Sequence, residues 1–471
     1  MRDRGTPKTR SRILDVVQSK PWRIPMVTAA KPRGGFSTRA LVYGFAGIIA
    51  LGTLLLMLPV SSRTQEFTSP VNALFTATSA TCVTGLVVLD TGTYWSFFGQ
   101  VVILILIQTG GFGFMTGATA ILSVLGRRIR LRDRLLVSES LSLEGPGGMV
   151  RIVRRMALFT ALAEGIGAVI FFLCFVGENP PLTALWRAIF HTISAFNNAG
   201  FSIFGNFQSL LTFQRDAVVL LVTAFLIILG GISFAVVMDI YTVRRWDRLS
   251  LNSKIVLSTT AVLLGGGMLV ILLAEYRNPA TMGALSFPWK LLNAFFHAVT
   301  PRTAGFNSLD LTVMLDHTLF FTMLLMFIGG ATGSTAGGIK VNTIGVLSAT
   351  ILSSLKGREN AGAFGREFRT QLIYRALALA IISLGLVAVW VFLLSMTESF
   401  TFLSLIFETV SAFATVGLSS GITLGLSLAG RLLMIILMFV GRLGPLTLVL
   451  SLRQRQQPSL YRYPGGTISI G

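Results

Sequence analysis

Four segments of the chain place a glycine after a run of small and hydroxyl-bearing residues. They span residues 75–86, 190–201, 295–306 and 407–418. Each begins with Phe, has its glycine ten positions later and ends with Leu or Phe. Glycine adopts backbone conformations that other residues rarely reach, so successive carbonyl oxygens can point to one side. A ring of such oxygens can replace the water around a cation, and the segments therefore predict cation-binding loops.

Three consecutive residues in each loop are the predicted ion ligands, through their backbone carbonyl groups. The four triplets are Val83-Thr84-Gly85, Asn198-Ala199-Gly200, Thr303-Ala304-Gly305 and Thr415-Val416-Gly417. None of them contains Asp or Glu, which favours a cage of carbonyl oxygens over a ring of carboxylates. The last triplet matches the start of the Thr-Val-Gly-Tyr-Gly filter of potassium channels, so potassium is the predicted ion. Four glycines that only allow close helix packing are the alternative.

The composition indicates that membrane helices hold these loops. The 471 residues are 53% hydrophobic and 12% charged, whereas about 25% are charged in a soluble domain. Windows of about 20 apolar residues mark eight spans, near 41–60, 97–125, 152–177, 216–241, 254–276, 318–350, 371–396 and 430–452. Taken in order, the eight spans form four pairs. A shorter apolar stretch lies between the two spans of each pair, near 70–82, 184–196, 289–300 and 401–413. Each stretch is too short to cross a bilayer and predicts a re-entrant pore helix.

The loop glycines recur at an almost constant interval, which predicts an internal repeat. Their separations are 200 − 85 = 115, 305 − 200 = 105 and 417 − 305 = 112 residues. The predicted fold is an all-α membrane protein in which four pseudo-repeated helix–pore-loop–helix units surround a central pore. The predicted divisions are a basic arm at 1–40, repeats at 41–134, 151–245, 254–358 and 371–455, and a C-terminal tail at 456–471.

Basic residues predict the orientation of the chain in the membrane. The sequence has 39 Lys and Arg against 19 Asp and Glu, a net charge of +20. The loops between successive repeats are dense in these cations, whereas the loops within repeats hold few. Cation-rich loops stay in the cytoplasm, so both termini are predicted to be cytoplasmic. Nucleic acid is not a predicted partner, because no soluble domain pairs basic with aromatic residues. Membrane lipid or an acidic protein partner is a second use for the charge.

A glycine-rich run interrupts the sixth span. It reads Gly329-Gly330-Ala331-Thr332-Gly333-Ser334-Thr335-Ala336-Gly337-Gly338. Each glycine costs roughly 1 kcal/mol in a helix relative to alanine, so the run predicts a flexible, non-helical gate beneath the loops, to which we also assign Lys340. A glycine-rich packing surface is the alternative.

Arg442 lies inside the eighth predicted span. A cation at this depth is costly and tends to face a water-filled cavity. It is therefore predicted to face the ion path and to act with the gate as a barrier to cations. Snorkelling of the side chain to the cytoplasmic interface is the alternative.

Several other polar residues lie within the apolar segments. Arg302, three residues before a loop glycine, is predicted to donate hydrogen bonds to loop carbonyls or a helix end. Glu164, Asp239 and Glu408 are the carboxylates that a carrier coupled to sodium or protons would need. Glu164 is alternatively predicted to form hydrogen bonds within the helix bundle.

Catalytic chemistry is not predicted. Cys82 and Cys174 lie in apolar segments and are predicted to be free thiols. The three histidines are too scattered for a metal cluster and are predicted to pack as neutral side chains. Since no nucleophile–base pair, HExxH motif or phosphate loop is present, the chain is not predicted to be an enzyme.

At these residues the sequence resembles the Trk/Ktr/HKT superfamily of cation transporters, and within it the membrane subunits of bacterial Ktr systems. The resemblance covers about residues 40–471. It rests on Thr-Cys-Val-Thr-Gly-Leu at 81–86, Asn-Asn-Ala-Gly-Phe at 197–201, Pro-Arg-Thr-Ala-Gly-Phe-Asn at 301–307 and Ala-Thr-Val-Gly-Leu-Ser at 414–419. The glycine-rich run at 329–338 and Tyr-Arg-Tyr-Pro at 461–464 complete it.

The resemblance implies sodium-stimulated potassium uptake across the inner (plasma) membrane by a homodimer with one pore per subunit. It also implies a cytoplasmic RCK-type regulatory ring, KtrA-like, so that ATP or ADP is bound by the partner and not by this chain. Family members that admit sodium often have Ser at the first loop glycine, so Gly85 implies selection for potassium. A Trk-like symporter that couples potassium to sodium or proton entry is the alternative function.

Overall fold

The structure is a computed structural model that describes residues 37–113, 149–358 and 360–444. The predictions for the N-terminal arm up to residue 36, for the cationic loop after the second span and for the C-terminal tail fall outside these residues. Within them, the predicted helical fold class is confirmed.

The helices fall into four groups, each with a long first helix, a shorter middle helix and a shorter third helix. They are α1 (Ser37–Met57), α2 (Pro70–Thr81) and α3 (Phe97–Phe112); α4 (Met149–Phe175), α5 (Pro181–Phe196) and α6 (Ala217–Gly231), which is followed by α7 (Phe234–Val243); α8 (Leu251–Glu275), α9 (Phe287–Val299) and α10 (Asp316–Phe327), which is followed by α11 (Val341–Leu355); and α12 (Thr370–Thr397), α13 (Phe402–Ala414) and α14 (Leu428–Leu443).

The contacts between groups form a closed cycle. The third helix of each group packs on the middle helix of the next: α3 on α5, α6 on α9 and α10 on α13. The cycle closes where α14, from the last group, packs on α2, from the first. The four middle helices are therefore enclosed by the first and third helices, and their C-terminal ends lie in the interior.

Large apolar side chains cover the outside of the long helices. On α4, for example, Leu162, Ile166, Val169 and Leu173 are all exposed, a spacing that places them on one face of the helix. Among the described residues, α8, α12 and residues 151–175 of α4 are each long and apolar enough to cross a membrane. A surface of this kind fits the hydrocarbon of a bilayer better than water.

The prediction of one continuous span at 216–241 is wrong. The helix ends at Gly231, and α7 leaves at 95° to α6. Ile232 has extended backbone, and the Ser233 hydroxyl accepts from the Ala235 amide at 3.3 Å, which caps a new helix. Both residues suit an apolar window, so hydropathy alone gives no sign of the bend.

A small β-hairpin precedes α12 and was not predicted. Strands β1 (Gly362–Ala363) and β2 (Arg366–Glu367) are antiparallel, with Gly362 opposite Glu367. The two turn residues, Phe364 and Gly365, have left-handed φ values of 55° and 74°. Two-residue hairpin turns commonly have this geometry.

Candidate functional site

The loops that follow α2, α5, α9 and α13 share one backbone conformation. In each loop the glycine and the residue two positions before it have left-handed φ. The values are 58° and 91° at Val83 and Gly85, 59° and 71° at Asn198 and Gly200, 70° and 75° at Thr303 and Gly305, and 52° and 91° at Thr415 and Gly417. Non-glycine residues rarely adopt such φ values, so the recurrence of this geometry at all four positions indicates a shared constraint.

Hydrogen bonds to the preceding helix hold each loop. The amides of Thr84, Ala199 and Val416 donate to Ser79, Ser194 and Ser411 carbonyl oxygens at 2.8 Å, and Ala304 donates to Thr300 O at 2.9 Å. Within the described residues, no hydrogen bond ends on the carbonyl oxygens of the twelve predicted filter residues. Buried carbonyl groups are normally paired, so these oxygens are available to a cation.

The four loops touch one another in a ring. A methyl group built on Gly200 would lie 2.7 Å from Ala304 O. A methyl group on each of the other three glycines would lie even closer to a carbonyl oxygen: Gly85 to Ala199 O, Gly305 to Val416 O and Gly417 to Thr84 O. Each glycine therefore packs against the carbonyl that precedes the glycine of the next loop, and the fourth loop closes on the first.

Hydroxyl groups support the loops in two different ways. In the first and fourth loops, the amides of Gly85 and Gly417 each donate to a serine hydroxyl, Ser79 and Ser411, at 3.1 Å. In the second loop the Ser194 hydroxyl instead donates to Phe201 O at 2.8 Å, and in the third the Thr300 hydroxyl donates to Phe306 O at 2.5 Å. The ring thus consists of two neighbouring pairs of loops with different supports.

A cavity of about 450 Å³ opens on one side of the ring and is lined by all four loop glycines. Asp90 and Asp310 also line it. The Asp90 carboxylate accepts a hydrogen bond from the Phe207 amide at 2.6 Å, and the Asp310 carboxylate accepts one from the Thr312 amide at 2.9 Å. The cavity is large enough for a hydrated cation, and its carboxylates favour positive charge.

The predicted gate residues 329–338, called the gate segment below, lie between α10 and α11 and are not helical. The segment is anchored to α6: the Ala331 amide donates to Gly231 O at 2.9 Å, and the Thr335 amide and hydroxyl donate to Gly230 O at 3.2 and 3.0 Å. A methyl group on Gly337 would collide with the Thr415 hydroxyl. The gate segment therefore lies directly against the ring.

Arg442 contacts the gate segment. Its guanidinium donates to Thr335 O at 2.5 Å and to Gly110 O, at the end of α3. These bonds direct the side chain into the bundle, toward the gate segment. Lys340 donates to Ala336 O at 2.6 Å and so binds the segment from its other end.

A glycine pair lies at or just after the end of three of the four third helices, and the fourth helix keeps only the first glycine. The predictions did not use this signal. The pairs are Gly110-Gly111, Gly230-Gly231 and Gly329-Gly330, and the fourth position reads Gly441-Arg442. The first residue of three pairs packs on a carbonyl at the end of a middle helix: Gly110 on Thr81 O, Gly230 on Phe196 O and Gly441 on Phe413 O. Arg442 thus stands where the second glycine of the pair would be, and its side chain reaches the gate segment.

Two of the other predicted residues gave different outcomes. Glu164 accepts from Gln108 Nε2 at 3.3 Å and from Asn197 Nδ2 at 3.1 Å, so its predicted hydrogen bonding within the bundle is confirmed. Arg302 is buried, but its Nε finds no acceptor among the described residues. The predicted hydrogen bond from Arg302 to a loop carbonyl or a helix end is therefore not made by this nitrogen among these residues.

Two buried side chains were not predicted to support the loops. The His191 ring lies 3.0 Å from the Ser202 hydroxyl, and the Glu408 carboxylate accepts from the Ser419 hydroxyl. In both pairs, a residue nine positions before the loop glycine contacts the serine two positions after it. His191 and Ser202 have this spacing around Gly200, and Glu408 and Ser419 have it around Gly417. That shared spacing is the sequence signal that could have identified them.

Known proteins match almost the whole chain. The family model TrkH, described as a cation transport protein, matches residues 38–463. The chain is 44% identical over 433 residues to Ktr system potassium uptake protein B of Bacillus subtilis, covering 92% of this chain and 96% of the relative. It is 41% identical over 434 residues to potassium/sodium uptake protein NtpJ of Enterococcus hirae, covering 91% and 96%.

A solved structure has a similar fold. The structure of the potassium transporter TrkH from Vibrio parahaemolyticus superposes with a TM-score of 0.69 at 17% identity, covering 90% of this chain and 86% of that one. At this level of identity the likeness concerns the arrangement of helices.

Proposed function

The chain belongs to the TrkH family of cation transport proteins, and we propose that it takes up potassium across the cell membrane through a gated filter of backbone carbonyl groups. The ring of four loops is the observation that carries the proposal. Its carbonyl oxygens have no hydrogen-bond donor among the described residues, so they can replace the water that a cation sheds.

The electrostatics of the site favour a cation. The middle helices α2, α5, α9 and α13 all end where the loops begin, and the C-terminal end of a helix carries partial negative charge. The triplets supply no formal charge of their own. Selection among cations is therefore assigned to the size and number of the carbonyl ligands.

The gate segment and Arg442 form the proposed gate. The segment lies against Thr415 of the ring and is bonded to Gly230 and Gly231, while Arg442 joins it to α3. In this position the segment obstructs the path beneath the filter, and the guanidinium opposes cations there. Movement of the segment away from the ring is the proposed opening step.

The remaining parts of the proposal concern topology and assembly. We assign both termini to the cytoplasm from the distribution of Lys and Arg. The names of two relatives, a Ktr system protein and a potassium/sodium uptake protein, support a regulatory partner and a role for sodium. A homodimer and a nucleotide-binding RCK-type ring complete the proposed assembly.

Ion flux in proteoliposomes that contain the full chain tests the proposal. We expect potassium influx to exceed sodium influx, and Gly85→Ser to reduce that ratio at least about fivefold, since left-handed backbone costs a non-glycine residue roughly 1–2 kcal/mol. Gly357→Ser is the matched control, because Gly357 also has positive φ but has no atom near its added Cβ. Equal potassium and sodium permeation in the unmodified protein would contradict the filter.

The same assay tests the symporter alternative, which rests on Glu408. This residue is 1% exposed, and its Oε2 has no hydrogen-bond partner among the described residues. Potassium influx driven by a potassium gradient alone supports the channel-like proposal. A strict requirement for a sodium or proton gradient would instead favour symport.

A further inference from the structure

Helix α7 lies across the direction of the membrane span that precedes it. The angle between α6 and α7 is 95°, and α6 is an apolar helix that buries one face in the bundle and exposes Leu221 and Phe225 on the other. A helix perpendicular to a span runs along the membrane surface. Given the orientation under the proposed function, this surface belongs to the cytoplasmic leaflet.

The exposed side of α7 and of the turn after it has the chemistry of a membrane interface. Tyr241 is 68% exposed and Trp246 is 47% exposed, and such rings are enriched at the level of lipid headgroups. The Arg244 guanidinium lies 5.5 Å from the Tyr241 ring centroid. Arg245 and Arg248 are exposed beside them, so cationic and aromatic groups alternate along this surface.

We propose that this surface, formed by Tyr241, Arg244, Arg245, Trp246 and Arg248, binds the headgroup of an anionic phospholipid and that the bound lipid favours the closed gate. Charge complementarity identifies the ligand: residues 244–248 carry three exposed guanidinium groups and one carboxylate, Asp247. Basic residues next to a span attract anionic lipid, and the aromatic rings lie at the same headgroup level.

The buried side of α7 connects this surface to the gate segment. Val236 is 0% exposed and packs in one cluster with Val256 and Ala331, a gate residue. Five residues before Val236 is Gly231, whose carbonyl accepts from the Ala331 amide at 2.9 Å. Ala331 therefore contacts both α6, through Gly231, and α7, through Val236.

This packing determines the direction of the effect. A ligand shifts a conformational equilibrium only toward the state that it binds better. In the structure α7 lies along the surface while the gate segment lies against the ring, so a lipid that holds α7 there stabilises the closed arrangement. Anionic lipid should lower potassium flux.

Potassium flux in vesicles of phosphatidylcholine, with and without phosphatidylglycerol, tests the inference. We expect phosphatidylglycerol to lower flux about threefold or more, and Arg244→Gln combined with Arg245→Gln to restore flux to the level in pure phosphatidylcholine. The matched control is Arg366→Gln combined with Arg375→Gln, which also neutralises two exposed arginines and should leave the lipid effect unchanged.

Brominated phosphatidylglycerol provides a readout that does not depend on flux. It should quench tryptophan fluorescence less in Trp246→Phe than in the unmodified protein, and less after neutralisation of Arg244 and Arg245. Absence of a phosphatidylglycerol effect on a protein that conducts potassium would overturn the inference alone. Equal rescue by the control pair, or an arginine effect seen only with a protein partner added, would also overturn it. Absence of potassium flux in every lipid would instead contradict the proposed function.

Discussion

The ring of loops and the gate segment lie against each other but are built in opposite ways. The ring repeats one backbone geometry four times, and each glycine packs on the backbone of the next loop. The gate segment occurs once and is held through a few hydrogen bonds to α6, Lys340 and Arg442. Repetition gives a rigid site, because no loop can move without displacing its neighbour. The gate segment can move when its few hydrogen bonds break, and the ring stays intact.

The largest expected effect comes from breaking the ring at its closure. In Gly417→Ser the new Cβ would collide with Thr84 O, and the residue keeps a left-handed φ of 91°. In Gly200→Ser the nearest atom is farther away, 2.7 Å from Ala304 O, at a φ of 71°. We expect the potassium-to-sodium flux ratio to fall about tenfold or more in Gly417→Ser, given roughly 1–2 kcal/mol for left-handed backbone plus the collision, and to fall less in Gly200→Ser. Equal losses would show that the closure between the fourth and first loops is not special.

The second effect comes from releasing the gate segment while the ring stays intact. Arg442→Ala removes the donors to Thr335 O and Gly110 O, and bonds from charged groups contribute about 1.5–3 kcal/mol each. We expect potassium flux to rise about tenfold with the potassium-to-sodium ratio unchanged.

Arg431→Ala is the matched control for this variant. Arg431 lies on the same helix and donates to Asn72 Oδ1 at 2.8 Å and to Leu424 O at 3.3 Å, away from the gate segment. It should leave flux near the unmodified level. Arg442→Lys keeps the charge but loses the forked geometry, so a rise in flux there assigns the effect to the hydrogen bonds. Unchanged flux in Arg442→Ala would remove this residue from the gate.

The smallest effect distinguishes the two kinds of loop within the ring. Ser411→Ala leaves the Gly417 amide without its acceptor, whereas Ser194→Ala leaves the Phe201 carbonyl without a donor. A buried unpaired amide is less tolerated than an unpaired carbonyl. We therefore expect Ser411→Ala to lower the potassium-to-sodium ratio about threefold, at roughly 1 kcal/mol per lost bond, and Ser194→Ala to change it less. The reverse order would show that the hydroxyl groups are not what distinguishes the loops.

Local patterns predicted the elements that hold the site. The short apolar stretches lie where α2, α5, α9 and α13 occur, because a stretch too short to span must end inside the protein. The glycine-rich run marked a non-helical segment, because glycine is unfavourable in a helix interior. Both signals depend on neighbouring residues alone and can therefore be read from the sequence.

Contacts between distant residues could not be predicted in the same way. Arg442 bonds to Gly110 and Thr335, which lie 442 − 110 = 332 and 442 − 335 = 107 residues away, and its sequence neighbourhood says nothing about either. Hydropathy also missed the bend at Ile232, since the segments on both sides of it are apolar and pass together as one window.

The closure of the ring has a consequence for how the protein is made. Gly417 packs on Thr84 O, and these residues lie 417 − 84 = 333 positions apart. Domains generally fold in the order of synthesis, from the N-terminus, so three loops enter the membrane before the fourth exists. In the proposed filter, an unfinished chain lacks one of the four sides whose carbonyl groups replace the water around an ion. The ring is therefore complete only after the last group of helices has been made.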